Sequence, residues 1–143
     1  MSYSMKEMNK KTGLSAPTLR YYEKEGILPF IERDENGKRL YNDTNVEWIR
    51  FILALRSTGM PLAEIKRYVE LYKQGESTIK ERKNMMLHHK EAVEEEMAKT
   101  FKYLEQINYK LALYDSLEAK IMQKEIKIQT QKSAGAPADF LSI

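Results

Sequence analysis

The sequence contains no cysteine. Disulfide bonds, thiolate metal sites and cysteine-based redox sensing are therefore excluded for this chain. Long apolar runs are also missing, since no stretch approaches the roughly 18 consecutive apolar residues of a membrane-spanning helix. The segment from Met1 to Lys11 carries charges where a signal peptide needs an apolar run. We expect a cytoplasmic protein with no membrane partner.

The chain also lacks a strong excess of either charge, with 24 Lys and Arg against 21 Asp and Glu and a net charge of +3. Residues 1–75 hold 13 basic and 10 acidic side chains and so carry the whole excess. Bulk attraction to a polyanion is weak at this net charge, and the position of each cation matters more. A length of 143 residues suits one small domain with an appendage.

Features of an enzyme are absent as well. The sequence offers no nucleophile with an associated base, no phosphate-cradling glycine loop and no cluster of carboxylates suited to acid and base chemistry. His88 and His89 are adjacent and would point about 100° apart on a helix, which makes them a poor chelating pair. We therefore expect neither catalysis nor a metal or other cofactor.

Two short helices around a tight turn are predicted at the start of the chain. The first runs from Met5 to about Thr12 and ends at Gly13. Ser15 can cap a second helix over Ala16–Glu25, and Gly26 is well placed as its left-handed end. This arrangement is the outline of a helix-turn-helix.

A small β-hairpin, or wing, is predicted next over Ile31–Tyr41. Asn36-Gly37 lies at its centre, and Asn-Gly is the strongest local signal for a two-residue hairpin turn. A third helix should then run from about Asn42 to Ser57 and a fourth from Pro61 to about Lys73. The sequence therefore predicts a mainly α fold with a winged helix-turn-helix head over residues 1–75.

The rest of the chain predicts one long helix. From Thr78 to about Gln129 there is no Pro or Gly, and apolar residues recur every seven positions. One such helix cannot bury its own stripe, so it needs a second chain or must fold back on the head. Its length favours the second chain, and we expect a homodimer through this segment, residues 76–130. The residues 131–143 are expected to form a flexible tail. The expected dimer contacts are Met86, Val93, Met97, Leu104, Ile107, Leu111, Tyr114 and Ile121.

Charges at the two ends of this helix indicate how two copies would pair. Lys83 and Lys90 lie near its start, whereas Glu118 and Glu125 occupy the same row near its end. An antiparallel pair places Lys opposite Glu, whereas a parallel pair places like charges together. The pattern favours an antiparallel coiled coil.

The second helix has a face suited to DNA. Arg20, Tyr21 and Lys24 share the side opposite to the packing residues Leu19 and Tyr22. Arginine can bond a guanine edge through two nitrogens, and tyrosine and lysine can hold phosphates. The alternative is that these are ordinary solvated side chains.

The wing adds further cations beside that helix. Lys38 and Arg39 follow the predicted turn, and Arg39 and Tyr41 fall on one side of the strand. A basic wing beside a basic helix face would form one patch. The alternative is that Arg39 pairs with Glu32 or Asp34 across the hairpin, as surface charges often do.

Five segments carry a resemblance to a known family. They are Gly13-Leu14-Ser15, Thr18-Leu19-Arg20-Tyr21-Tyr22-Glu23, Gly26-Ile27-Leu28-Pro29, Gly37-Lys38-Arg39-Leu40-Tyr41 and Leu55-Arg56-Ser57-Thr58-Gly59-Met60-Pro61-Leu62. Together these segments resemble the MerR family of transcription regulators over about residues 4–75. The resemblance is nearest to the branch that senses aldehyde or nitrosative stress through a thiol. Ala54 stands where that branch has its cysteine, so a thiol switch cannot operate here.

The resemblance implies a homodimer on a near-palindromic operator inside a promoter. Members of the family kink and untwist an over-long promoter spacer, which lets RNA polymerase engage both promoter elements. The resemblance places Arg20 and Tyr21 on the recognition helix, Arg39 and Tyr41 on the wing and Arg56 at a backbone phosphate. With the residues added from the helix and wing, the expected DNA contacts are Ser15, Thr18, Arg20, Tyr21, Lys24, Lys38, Arg39, Tyr41 and Arg56.

Two other interpretations stay open at this point. One is a constitutive DNA binder without a small-molecule inducer. The other is a coiled-coil scaffold whose head binds a protein, since nine tyrosines and eight methionines could build such a surface. The scaffold predicts no salt-dependent binding of DNA, and the inducing signal cannot be read from the sequence.

Overall fold

The structure is a computed structural model and describes residues 2–135. Its elements are α1 (Met5–Thr12), α2 (Ala16–Lys24), β1 (Glu32–Arg33), β2 (Arg39–Leu40), α3 (Asp43–Ser57), α4 (Leu62–Lys73), a 3₁₀ turn (Glu76–Thr78) and α5 (Ile79–Gly135). The predicted fold class is confirmed: a mainly helical chain with a small antiparallel hairpin and a long C-terminal helix.

The helices begin and end at residues with specific capping roles. The Ser15 hydroxyl caps α2 by accepting a hydrogen bond from the Thr18 amide at 3.3 Å. Asn42 and Asn45 cap α3 reciprocally, each side-chain oxygen accepting from the other residue's amide at 2.9 Å. Gly26 follows α2 with a φ of 79°, the left-handed conformation expected of a helix stop.

The wing turn is wider than the predicted two-residue turn, and that prediction was wrong. Beyond the paired strands, the Asp34 amide donates to the Lys38 carbonyl at 2.8 Å and the Gly37 amide donates to the Asp34 carbonyl at 3.0 Å. Three residues therefore form the loop, with Gly37 left-handed at a φ of 79°. The physical reason is the Asp34 carboxylate, which accepts from the Asn36 and Lys38 amides and stabilises the wider loop.

The N-terminal segment adds a partner to the wing that the sequence pattern did not reveal. Tyr3 and Tyr41 form an antiparallel bridge, with the Tyr3 amide donating to the Tyr41 carbonyl at 2.6 Å and the reverse bond at 3.1 Å. The Tyr3 hydroxyl also donates to the Asp43 carboxylate at 2.5 Å, and this bond raises the pKa of Tyr3. The start of the chain is thereby tied to the wing and to the first turn of α3.

One hydrophobic core joins the four helices of the head to the wing. Trp48 lies at its edge and donates its indole N–H to the Ile27 carbonyl at 2.8 Å, which fixes the chain after α2. The buried core consists of Tyr3, Met8, Leu19, Tyr22, Ile27, Leu28, Tyr41, Val46, Ile49, Ile52, Leu55, Met60, Ile65 and Val69.

The first turns of α5 belong to the same compact unit as the head. The described chain divides between Glu94 and Glu95, beyond the predicted boundary at residue 75. The reason is packing: Met86 contacts the core, and the Thr58 hydroxyl lies 2.7 Å from His89 Nε2. Met86, predicted as a dimer contact, thus uses part of its surface within its own chain.

The long helix continues to Gly135, past the predicted end near Gln129. Residues 131–135, expected as the start of the tail, keep helical backbone, and none of the first four is Pro or Gly. The rest of that tail lies outside the described residues. Within residues 2–135, no helix is both long and apolar enough to cross a membrane.

Candidate nucleic-acid interface

Packing of α2 on the head divides its side chains between core and solvent. Leu19 is fully buried and Tyr22 is 9% exposed, whereas Arg20 and Lys24 are exposed and Tyr21 is 47% exposed. The predicted division of this helix into two faces is confirmed. The exposed face offers a guanidinium, a phenol and an ammonium group on one helix of nine residues.

The start of α2 brings two hydroxyl groups together. Ser15 Oγ lies 2.9 Å from Thr18 Oγ1, and Ser15 also caps the helix. Ser15 is exposed and Thr18 is partly exposed. Both hydroxyls thus have a local structural role, and a contact with DNA stays a prediction.

A cleft of about 450 Å³ lies between the start of the chain, the wing and one side chain of α2. Arg20 lies on its helix side and Lys38 and Arg39 on its wing side, with Ser2–Met5 along the rest of the wall. The structure thus brings together three of the predicted cations around one concave surface. Such a surface attracts an anion more strongly than the same charges would when spread apart.

Arg39 is held by α2 and not by its own hairpin. Its Nε donates to both Glu23 carboxylate oxygens, at 3.0 and 3.1 Å, and its side chain is 24% exposed. Neither Glu32 nor Asp34, the partners considered from the sequence, takes this role among the described ion pairs. Arg33 on the neighbouring strand donates to the same carboxylate at 2.9 Å.

Tyr41 is not part of the exposed surface, and its predicted contact with DNA is corrected. Its side chain is fully buried in the core, with the hydroxyl 4.0 Å from Met5 Sδ, and burial raises the pKa of this phenol. Tyr41 and Arg39 do share one side of the strand, but that side faces the head. This orientation also accounts for the low exposure of Arg39.

The last predicted contact, Arg56, is exposed on the final turn of α3. The described structure gives it no ion pair or side-chain hydrogen bond, so its role stays a prediction. Ala54, two residues earlier, is exposed. Arg50, which the sequence did not single out, donates to the Lys11 carbonyl at 3.4 Å.

The C-terminal end of α2 is fixed by an ion pair that sequence reasoning missed. Lys66 on α4 donates to Glu25 Oε1 at 2.8 Å, and the Tyr21 hydroxyl lies 3.5 Å from the same oxygen. The bond to Lys66 is the main cause that lowers the pKa of Glu25, and it raises the pKa of Lys66. The two residues lie 41 positions apart, so no local pattern could have paired them.

Comparison with known proteins identifies the family. Residues 3–71 match the family described as MerR HTH family regulatory protein, and residues 46–109 match the one described as MerR, DNA binding. An uncharacterised HTH-type transcriptional regulator from Haemophilus influenzae is 39% identical over 119 residues, which cover 83% of this chain and 88% of that protein. This chain belongs to the MerR family.

Solved structures of other MerR-family regulators have the same fold. HiNmlR, described as a MerR family regulator lacking the sensor domain and bound to promoter DNA, is similar with a TM-score of 0.76 and 39% identity. The similarity covers 83% of this chain and 94% of that one. A MerR-family regulator from Bacillus thuringiensis gives a TM-score of 0.70 at 34% identity, over 78% of this chain and 98% of that one. This MerR-family chain is a DNA-binding transcription regulator and not an enzyme.

The Lys66–Glu25 pair of this MerR-family regulator predicts a measurable titration. Lys66→Met removes the hydrogen bond, so the pKa of Glu25 should rise towards its ordinary value. In the unaltered protein the pair contributes stability above the ordinary glutamate pKa and loses it as the pH falls through the lowered pKa. An NMR titration of the carboxyl carbons measures the pKa of Glu25 in the unaltered protein and in the Lys66→Met variant.

Lys73→Met is the matched control for this titration, because it removes a lysine paired with Glu70 on the same helix. It should leave the pKa of Glu25 unchanged. An equally low pKa of Glu25 in the Lys66→Met protein would show that the bond is not its cause.

Proposed function

We propose that this regulator binds a near-palindromic operator inside a promoter as a homodimer and acts there on RNA polymerase. The observation that carries the proposal is the exposed face of α2, with Arg20 and Lys38 lining the same cleft. A recognition helix in the major groove with a wing on the adjacent backbone fits this arrangement of cations.

Each part of the patch suits a different contact with DNA. Arg20 can bond the O6 and N7 of a guanine, whereas Tyr21 and Lys24 lie farther along the same face and suit phosphates. Lys38 at the wing and Arg56 on the last turn of α3 add further exposed positive charge to the head. Base contacts from one helix and phosphate contacts from its neighbours would give both register and sequence preference.

A second copy of the chain is proposed because α5 leaves apolar side chains uncovered. Over residues 95–128 the predicted seam is largely exposed, and a single helix in water cannot bury it. Exposed fractions along the seam are 65% for Met97, 46% for Leu104, 57% for Ile107, 54% for Leu111, 55% for Tyr114 and 57% for Ile121. Pairing of two α5 helices would remove this surface from water and gain roughly 25 cal/mol for each Å² of apolar area.

An antiparallel arrangement is the proposed form of this pair. It places Lys83 and Lys90 of one chain beside Glu125 and Glu118 of the other, with Leu104 at the centre. Two heads at opposite ends of a coiled coil match the two halves of a palindromic site, because a two-fold axis relates both.

Distortion of the promoter is the proposed mode of action. Smooth bending of a site of 20 to 30 base pairs costs on the order of 1–6 kcal/mol, which phosphate contacts from two heads can offset. A kinked and untwisted spacer would bring two promoter elements onto one face for RNA polymerase.

The recognition helix is tested by binding of Arg20→Ala to the regulator's own promoter region and to random DNA. Loss of one base contact per half-site should cost about 1–3 kcal/mol on the promoter and relax preference at one position. Arg56→Ala is the comparison, and it should weaken binding to all sequences alike and lower the salt slope by about one unit. Absence of any salt-dependent binding by the unaltered protein would instead favour the protein-binding scaffold.

The dimer is tested by Leu104→Glu, which places two carboxylates at the centre of the proposed seam. Sedimentation equilibrium should show a monomer, since burying an unpaired charge costs several kcal/mol. Tyr109→Glu adds the same charge on the opposite face of α5, where the side chain is 72% exposed, and should remain dimeric. A dimer in both variants would rule out this seam.

The mode of action is tested by footprinting on the promoter together with transcription from templates of altered spacer length. We expect protection between two polymerase elements and activation that disappears when the spacer is shortened to the usual length. Protection outside the two elements, or repression at every spacer length, would contradict activation by distortion.

A further inference from the structure

One carboxylate in the head binds two arginines from both strands of the wing. Glu23 on α2 accepts from Arg33 Nη2 at 2.9 Å and from Arg39 Nε at 3.0 and 3.1 Å. Arg33 also donates through Nη1 to the Gly37 carbonyl at 2.7 Å, in the turn of the wing. The Glu23 clamp, meaning Glu23 with Arg33 and Arg39, thus connects α2 to both strands and to the turn.

The clamp differs from an ordinary surface ion pair in its geometry. Glu23 and Arg39 are 20% and 24% exposed, and Arg39 uses one nitrogen against both carboxylate oxygens. Because Glu23 and Arg39 are partly buried and joined by two hydrogen bonds, they exchange partners less freely than the two side chains of an exposed ion pair. The wing strands themselves are only two residues each, so their own ladder of hydrogen bonds cannot hold the hairpin rigidly.

The charge of Glu23 is unfavourable for DNA unless it has another role. Glu23 is bonded to Arg39, which lines the cleft, and its carboxylate opposes the attraction that Arg20 and Lys38 exert on phosphate. It also bonds two guanidinium groups that would otherwise be available to the phosphates of the DNA. Because this negative charge opposes DNA binding, we look for its role in the structure of the head.

We infer that Glu23 is a positioning residue for sequence reading, which acts by fixing the wing relative to the recognition helix. The inference rests on the proposed function. It assigns Arg39 to anchoring the wing and not to binding phosphate. Lys38 and the wing turn are thereby set at a defined distance from Arg20 before DNA arrives. Pre-organised contacts lose less free energy to ordering when the complex forms.

The test uses Glu23→Gln, because simple charge repulsion and a positioning role predict opposite changes in the affinity for the promoter. Removing a negative charge near DNA should tighten binding to every sequence if the charge acts only by repulsion. Loss of the clamp should instead weaken binding to the promoter by about tenfold, which lies within the cost of one specific contact. Affinity for random DNA should stay equal or increase, so the ratio of the two affinities falls.

Glu47→Gln is the matched control, since Glu47 is an exposed carboxylate on α3 of the same head. It changes the charge equally and should leave the affinity ratio at its original value. Partial unfolding cannot imitate the expected result, because it lowers binding to both DNAs together. Arg33→Gln and Arg39→Gln break the clamp from the other side and should lower the same ratio.

The salt dependence of Arg39→Gln separates positioning from phosphate contact. A positioning role leaves the slope of log affinity against log salt unchanged, whereas a lost phosphate contact lowers it by about one unit. An unaltered affinity ratio in Glu23→Gln, or a lowered slope in Arg39→Gln, would overturn the inference. Failure of the unaltered protein to prefer its promoter over random DNA would overturn the proposed function instead.

Discussion

Burial of one face of α2 is the constraint on which the rest of the head depends. A helix of nine residues is not stable alone in water, so its conformation is held by packing of Leu19 and Tyr22 in the core. The same packing leaves Arg20, Tyr21 and Lys24 on the opposite side. The candidate DNA-reading face is thus a direct consequence of which residues the core takes up, and a change in the core would rotate or release that face.

Local sequence signals predicted the helix ends in the head well because each end depends on neighbouring atoms. Ser15 and Asn42 cap their helices through their own side chains, and Gly26 takes the left-handed conformation that few other residues adopt easily. The wing turn was predicted less well. Asn36-Gly37 favours a two-residue turn, but the Asp34 carboxylate accepts two backbone amides and stabilises a longer loop.

The candidate site could be predicted only in part, since several of its contacts join distant residues. Alternation along the strand placed Arg39 and Tyr41 on one side but could not say which side faces the core. Tyr41 is buried in the core of the head, and its backbone is bridged to Tyr3, a pairing with no signal in either segment. The bonds from Glu23 to Arg39 and from Glu25 to Lys66 span 16 and 41 positions, beyond the reach of periodicity or capping rules.

A net charge of only +3 is low for a protein that binds DNA, but the net value does not show where the charges lie in the head. Glu23 on α2 and Glu25, which caps its C-terminal end, are each bonded to cations of neighbouring elements. These acidic side chains therefore hold the helix in place while they lower the net charge of the head. Two cations outside these bonds, Arg20 and Lys24, lie on the exposed face of α2. Non-specific affinity grows with the number of phosphates that cations neutralise, so the cations left outside such bonds, and not the net charge of the chain, set how strongly a head of this kind attracts DNA.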